Sequence, residues 1–447
     1  MKLSSALLPA MVLCPAMLAA QNQQQKPNIV LFFVDDFGYN DLGFRNSSFM
    51  TPNIDYFAKN NINFTAAYVP SPTSSPSRAG LLTGQYPIRA GLIRHISEYP
   101  KDIHNGSHYE LWDQDPGAKY NIKELTLDKR TFASALKEYG YTTYHVGKWH
   151  LGRAAYYPNK HGFDSMVGQS DLGGVYSFFP PYYENKEHDS TGKYLTDMLT
   201  EEAVSVIEKH NYQKSPLLLY LAHYATHAPY VAKEAMVEKY KAKGLNNQYA
   251  IYHAMVESMD SSFGAVIESL KDKGVYDNTI VVFVSDQGGN FDNSPLKGGK
   301  NDWPLHEGGA RVPLFIHYGG GVAPREVNER VSTMDLYPTF MELASHKAYH
   351  QKEIDGISLL PTLLGGRPKE RPLFAYRSYD NQFASVIHRE MKYIITRDGN
   401  DIMYDLINDP KETTNLRGNA QYAAKEKVLK KLIDGFLKKY ETMLYTQ

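Results

Sequence analysis

The chain is almost without cysteine. Its one thiol, Cys14, falls within the first twenty residues. That stretch carries Lys2, the short apolar run "LSSALLPAMVLCPAML" and the small residues of "MLAA" before Gln21. It reads as a signal peptide over residues 1–20, with export to the periplasm as the expected outcome. Bulky Leu13 disfavours a lipoprotein anchor on Cys14. Once the signal leaves, no disulfide and no thiol nucleophile remain. Net charge is lacking too: 48 Lys and Arg stand against 49 Asp and Glu, so no field draws in nucleic acid or an anionic membrane. No later run is apolar enough for a transmembrane segment. Internal repeats and long linkers are also missing.

What is present has an ordinary globular composition, 42% hydrophobic and 22% charged. The 447 residues exceed one compact domain. The 34 tyrosines are a weak pointer to carbohydrate, since Tyr also fills sheet edges. The runs "NIVLFFV" (28–34), "TTYHV" (142–146), "PLLLYLA" (216–222) and "TIVVFV" (279–284) alternate with helical patterns. This predicts an α/β fold, a large, mostly parallel sheet sandwiched by helices. "TFASALKEYG" predicts a helix with Phe132, Leu136 and Tyr139 on one face and Gly140 as its C-cap. "MDLYPTFMELA" (334–344) predicts another, with Pro338 near its start. The main domain is read as 21–367. Beyond it, "PLFAYRS", "ASVIHREMKYIIT" and "IMYDLIND" predict short antiparallel strands, closed by an amphipathic helix, as a C-terminal α+β subdomain over 368–447.

Ligands of open α/β sheets bind beyond the carboxyl ends of the strands. The four runs end in Asp35-Asp36, in "GKWH" with Lys148 and His150, in "HYATHAP" with His223 and His227, and in Asp286-Gln287. Singly, an Asp pair is more often a turn and a His more often a packing residue. Together they supply hard oxygen donors, suited to Ca²⁺ or Mg²⁺ rather than zinc, beside lysines and histidines suited to an oxyanion and proton transfer. That is the environment of a sulfate or phosphate ester hydrolase.

The stretch "SPTSSPSRAGLLTG" (71–84) adds a nucleophile. Pro76 is placed to start a helix and Gly84 to end it, which sets Ser74 just before a helix N-terminus, where anionic oxygen is favoured. Arg78, about one turn on, can point back to the same place. A plain Ser/Pro-capped helix explains the stretch equally well.

The chain resembles a type I sulfatase of the alkaline phosphatase superfamily, arylsulfatase A-like or N-acetylgalactosamine-6-sulfatase-like. Ser74-Ser75-Pro76-Ser77-Arg78 with Leu82-Thr83-Gly84 matches the signature of a Cys or Ser, any residue, then Pro-Ser-Arg. "KPNIVLFFVDDFGYNDLG", "TPNIDYFAKNNINFTAAYV", "GKWHLG", "THAP", "SDQGG", "LKGGK", "EGGARVP" and "YDLINDPKETTNL" extend it in the expected order.

The resemblance implies a catalytic sulfatase domain that removes sulfate from a sulfated sugar. It implies that Ser74 is oxidised to formylglycine (3-oxoalanine) by an anaerobic radical maturase, the serine-type route; an engineered Cys-to-Ser change would look identical. One hydroxyl of the hydrated aldehyde takes the sulfate, and the other expels it. Asp35, Asp36, Asp286, Gln287 and the modified Ser74 would hold Ca²⁺. Arg78 would hold the formylglycine and a metal-binding carboxylate. Lys148 and Lys300 would neutralise sulfate oxygens, His150 would take the gem-diol proton, and His227 with Lys300 would serve the leaving oxygen. His223 reads as structural. Between Lys300 and "EGG" stand six residues, "NDWPLH", where the family commonly has four. Exolytic action on a glycan is the leading expectation, and a phosphonate or phosphate ester hydrolase of the same superfamily is the alternative. Sugar contacts are expected from 92–120, 176–189 and 301–306, with Arg94, His95 and Trp303 as candidates.

Overall fold

The computed structural model describes residues 26–96, 124–171, 173–183, 192–319, 323–377 and 381–445. The expected signal peptide with Cys14, and residues 97–120 and 184–189 of the expected sugar-contact stretches, lie outside the described residues.

β1 (Asn28–Val34) is buried along its whole length, as a continuous apolar run in a central strand must be. It pairs in parallel with β5 (Leu217–Ala222) on one side and β6 (Thr279–Ser285) on the other. β3 (Thr142–Gly147) and β4 (Ser165–Val167) continue beyond β5, also in parallel. Beyond β6 the sheet turns mixed: β7 (Arg311–Tyr318) runs antiparallel to β6 and to β2 (Ile62–Tyr68). The short β8 (Arg325–Val327) and β9 (Val331–Ser332) then pair with β2. The order is β4-β3-β5-β1-β6-β7-β2-β8.

Alternate residues of β1 feed two cores. Ile29, Leu31 and Phe33 pack with Phe132 and Leu136 of α3 (Phe132–Glu138) and Leu336 and Phe340 of α6 (Leu336–Ser345). Val30, Phe32 and Val34 face Leu195 and Leu199 of α4 (Leu195–Lys209) and Met259 and Phe263 of α5 (Asn247–Asp272). The period of two along the strand thus makes a three-layer sandwich. α3 opens on a Thr131–Ser134 capping box and is followed by Gly140 at φ 86°. In α6, Pro338 is the third residue, where no N–H partner is lost.

The loop after β2 differs from expectation. Helix α2 (Ser74–Thr83) begins at Ser74 itself, with extended Thr73 at the N-cap position, and not at Pro76. Pro76 is tolerated there because first-turn N–H groups lack intrahelical partners. Gly84 ends the helix at φ 66°, its N–H reaching the Gly80 carbonyl at 2.9 Å.

A second sheet, β10 (Leu373–Tyr376), β11 (Gln382–His388), β12 (Met391–Thr396) and β13 (Ile402–Asp405), is fully antiparallel. "ASVIHREMKYIIT" therefore folds as a hairpin, turning at Arg389 with φ 51°. Leu429, Ile433 and Phe436 of the closing helix α7 (Ala423–Tyr445) pack on this sheet and on Tyr86 and Ile88, which follow α2.

Candidate active site

The carboxyl ends of β3, β5, β1 and β6 converge with the start of α2. Asp35 and Asp36 follow β1 and are fully buried. Asp36 sits at φ 56°, a left-handed backbone that few non-glycine residues adopt. Its N–H donates to Asp286 Oδ1 at 3.0 Å, and Thr226 Oγ1 donates to the carbonyls of Asp35 and Asp36 at 3.3 and 3.2 Å. Asp286 and Gln287, just past β6, close the group.

Ser74 Oγ lies inside this cluster. It accepts from Gln287 Nε2 at 3.0 Å and donates to Asp35 Oδ1 at 3.5 Å. Gln287 Nε2 also donates to Asp36 Oδ1 at 2.7 Å. Arg78, on the same face of α2 as Ser74, bridges Asp35 and Asp286 through Nη2 at 3.1 and 3.0 Å. Lys148 Nζ meets Asp35 Oδ2 at 2.5 Å, and Lys300 pairs with Asp36. His227 Nε2 is 3.7 Å from Asp36 Oδ2. Three carboxylates thus face three fixed cations, Arg78, Lys148 and Lys300.

His150, at φ 55°, sets Nε2 3.0 Å from the Ile96 carbonyl, and His95 stacks edge-to-face on its ring at 4.6 Å. His223 is elsewhere: it is buried against Phe32 at 5.0 Å, with Nε2 2.9 Å from Ser262 Oγ, a packing role. Arg94 is buried and Trp303 exposed.

Charge and burial set the protonation states. Burial pushes the Asp35 carboxyl up, but Lys148, His227 and Arg78 together hold it well below the usual range. Burial, reinforced by Asp35, pushes Asp286 up to about 7. Burial and the neighbouring His95 and Lys148 hold His150 well below the ordinary imidazole value, so it is neutral and able to accept a proton. His227 falls to about 4 through burial and the charges of Lys300 and Lys148.

The donors suit a hard divalent cation. One oxygen from each of Asp35, Asp36 and Asp286 lies within 4.8 Å of the others. Ligands about 2.4 Å from a shared Ca²⁺ fall within that span. Gln287 Oε1 is buried with no hydrogen-bond partner, an acceptor suited to the same ion.

One participant escaped the sequence. Arg377, just after β10, donates through Nη1 to the Pro72 carbonyl at 2.7 Å and to Thr73 Oγ1 at 3.0 Å, bracing the residues before Ser74. It lies 304 residues beyond Thr73, within the strand run "PLFAYRS", where nothing marked it for the site. Thr226 was in view within "THAP", but its hold on the Asp35-Asp36 carbonyls was not.

The sulfatase profile matches residues 27–346. The N-sulphoglucosamine sulphohydrolase C-terminal profile matches 302–439. The chain is similar to the N-acetylgalactosamine-6-sulfatase of Mus musculus, 34% identical over 401 residues that cover 82% of this chain and 72% of that one. The Homo sapiens enzyme of the same name is 35% identical over 395 residues, covering 80% and 70%. Among solved structures, Ps i-CgsB in complex with k-i-k-neocarrahexaose superposes with a TM-score of 0.78 at 31% identity, covering 93% of both chains. The chain therefore belongs to the sulfatase family of sulfuric ester hydrolases.

Proposed function

We propose that the chain removes sulfate from a sulfated carbohydrate, using Ser74 matured to formylglycine and a bound Ca²⁺. The observation that carries this reading is the seat of Ser74 Oγ, 3.0 Å from Gln287 and 3.5 Å from Asp35, amid fixed cations. The carbohydrate class rests on the names of the relatives, one acting on N-acetylgalactosamine-6-sulfate and one solved with a carrageenan oligosaccharide. An anaerobic radical maturase and export to the periplasm belong to the same reading.

Oxidised and hydrated, residue 74 would offer two hydroxyls on one carbon, one to accept the sulfuryl group and one whose ionisation releases it. Asp35, Asp36, Asp286, Gln287 and residue 74 would hold Ca²⁺, which would supply positive charge to a sulfate oxygen. Lys148 and Lys300 are placed to share that charge. Arg78 orients Asp35 and Asp286 from the helix that carries residue 74. Neutral His150 is the proton acceptor for sulfate release. His227, with its Nδ1 on the Ala228 carbonyl at 2.6 Å, turns Nε2 towards the cluster. There it is set to hydrogen-bond the leaving oxygen, and negative charge arriving with the substrate raises its affinity for a proton.

Two measurements test the proposal. Mass spectrometry of the tryptic peptide ending at Arg78 should show loss of two hydrogens at Ser74 in protein from its native host. Sulfate release should be found on a panel that includes N-acetylgalactosamine-6-sulfate and carrageenan oligosaccharides, with phosphate esters of the same alcohols turned over far more slowly. An unmodified Ser74 peptide would remove the nucleophile, and equal phosphate turnover would remove the assignment.

A further inference from the structure

Two exposed aromatic side chains, neither of them used by the mechanism, stand on loops at the carboxyl end of the main sheet. Tyr176 is 53% exposed and Trp303 46% exposed. Tyr176 lies on the connection leaving β4, on the far side of β3 from the centre. Trp303 lies on the connection from β6 to β7, on the opposite side of β1. The strands that end in catalytic residues, β3, β5, β1 and β6, run in the strand order from the neighbour of β4 to β6 itself.

Both loops are tied to the pit. The Gly173-Gly174 segment runs against the histidines: a Cβ on Gly173 would collide with the His150 ring, and one on Gly174 would reach His227 at 3.7 Å. At 3.8 Å per Cα step, Tyr176 is within about 8 Å of Gly174, and Trp303 within about 11 Å of Lys300. Both loops are also anchored. Val175 and Phe178 are buried on either side of Tyr176, whose N–H donates to the Tyr182 carbonyl at 2.9 Å. Trp303 stands at φ 50°, a strained backbone for a bulky residue. Its carbonyl accepts the His306 N–H at 3.0 Å, its ring meets His306 edge-on at 5.5 Å, and Lys297 Nζ lies 5.5 Å from its centroid. A strained, braced and still half-exposed indole beside a polar pit is a ligand platform. A pyranose ring, with one face of C–H groups and a rim of hydroxyls, matches an exposed aromatic face.

We propose that Tyr176 and Trp303 are sugar-stacking platforms on opposite flanks of the pit, so that the sulfated residue is presented within an oligosaccharide that crosses it. This rests on the sulfatase reading above and deepens it, since one platform on each side accommodates sugars beyond both ends of the sulfated residue.

The test compares mature wild type with Trp303→Ala, Trp303→Phe and Tyr176→Ala on 4-nitrophenyl sulfate and on sulfated mono- and tetrasaccharides. For each alanine variant, the rise in KM on the tetrasaccharide should exceed any change on 4-nitrophenyl sulfate by about tenfold, and Trp303→Phe should recover most of the loss. Equal losses on both substrates, or a wild-type KM for the tetrasaccharide in both alanine variants, overturn the proposal. A wild type that cleaves 4-nitrophenyl sulfate without distinguishing chain length sinks the platforms alone. A wild type that releases sulfate from neither substrate sinks the sulfatase reading itself.

Discussion

Arg78 and Asp286 form a fully buried ion pair at 3.0 Å, and the same guanidinium nitrogen holds Asp35 at 3.1 Å. The arginine neutralises two carboxylates and also ties α2, which carries Ser74, to the ends of β1 and β6. Replacing it with alanine would leave buried charge uncompensated. Arg78→Ala should cost about 3–5 kcal/mol of stability, read by urea unfolding, together with loss of turnover. A cost under about 1 kcal/mol would show that the carboxylates find other partners.

Among the described residues, Ser74 Oγ makes two side-chain hydrogen bonds, at 3.0 and 3.5 Å. Ser74→Ala should therefore abolish turnover, by at least about a thousandfold, while the melting temperature stays near that of wild type. Retained activity in this variant would dismiss residue 74 as the nucleophile.

Calcium should stabilise the native state by mass action, about 2.7 kcal/mol at a hundred times its dissociation constant. Chelation should lower the melting temperature, and Gln287→His, which exchanges a hard amide oxygen for a nitrogen, should shrink the calcium response. An identical response in wild type and variant would exclude Gln287 from the ligand set.

Lys392 of β12 is fully buried between Glu307 and Glu412, 3.0 Å from each. It joins the second sheet to the "EGGARVP" segment behind the Lys300 loop. Burial pushes Glu412 up to about 7, opposed first by Lys392. Lys392→Met should cost about 3–5 kcal/mol, and adding Glu307→Gln and Glu412→Gln should return part of it. If the triple change is the sum of its parts, the three groups are not coupled.

Asp260 of α5 caps helix α1 (Pro52–Lys59) from outside, accepting from the N–H groups of Asn53 at 3.3 Å and Ile54 at 2.8 Å. Thr51, the formal N-cap, makes no such bond. Asp260→Ala should cost about 1–2 kcal/mol. Burial raises the Asp260 carboxyl to about 6. A carboxyl raised on folding adds stability that is full below its unfolded pKa, near 4, and lost as pH rises through 6. The stability of wild type relative to Asp260→Asn should fall between pH 4 and 7 in denaturant titrations at each pH. A difference independent of pH would mean that Asp260 titrates alike in both states.

Local pattern alone specified much of this protein. "NIVLFFV" and "TIVVFV" are continuous apolar runs, and only a strand covered on both faces consumes every residue of such a run. Asp35, Asp36, Asp286 and Gln287 were legible because strand ends are where an α/β sheet exposes polar groups. Ser74 and Arg78 were legible as neighbours because Arg78, about one turn on, can point back to a Ser74 set before a helix N-terminus; the structure puts both inside the helix. The helix start was misplaced at Pro76, since proline is tolerated anywhere in a first turn whose N–H groups lack intrahelical partners and so does not mark its first residue. What no local pattern carried was decided by chain reversal and long-range pairing. Arg377 braces the Ser74 loop from across the molecule, Thr226 holds the Asp35-Asp36 turn through backbone carbonyls, and β7 enters the sheet antiparallel to both β6 and β2. Tyr176 and Trp303 leave from β4 and β6, and only the strand order puts those two strands on opposite sides of β1. Spacing along a chain encodes which residues share a face; which faces meet depends on closing loops of many residues, and that follows from the packing of the whole core.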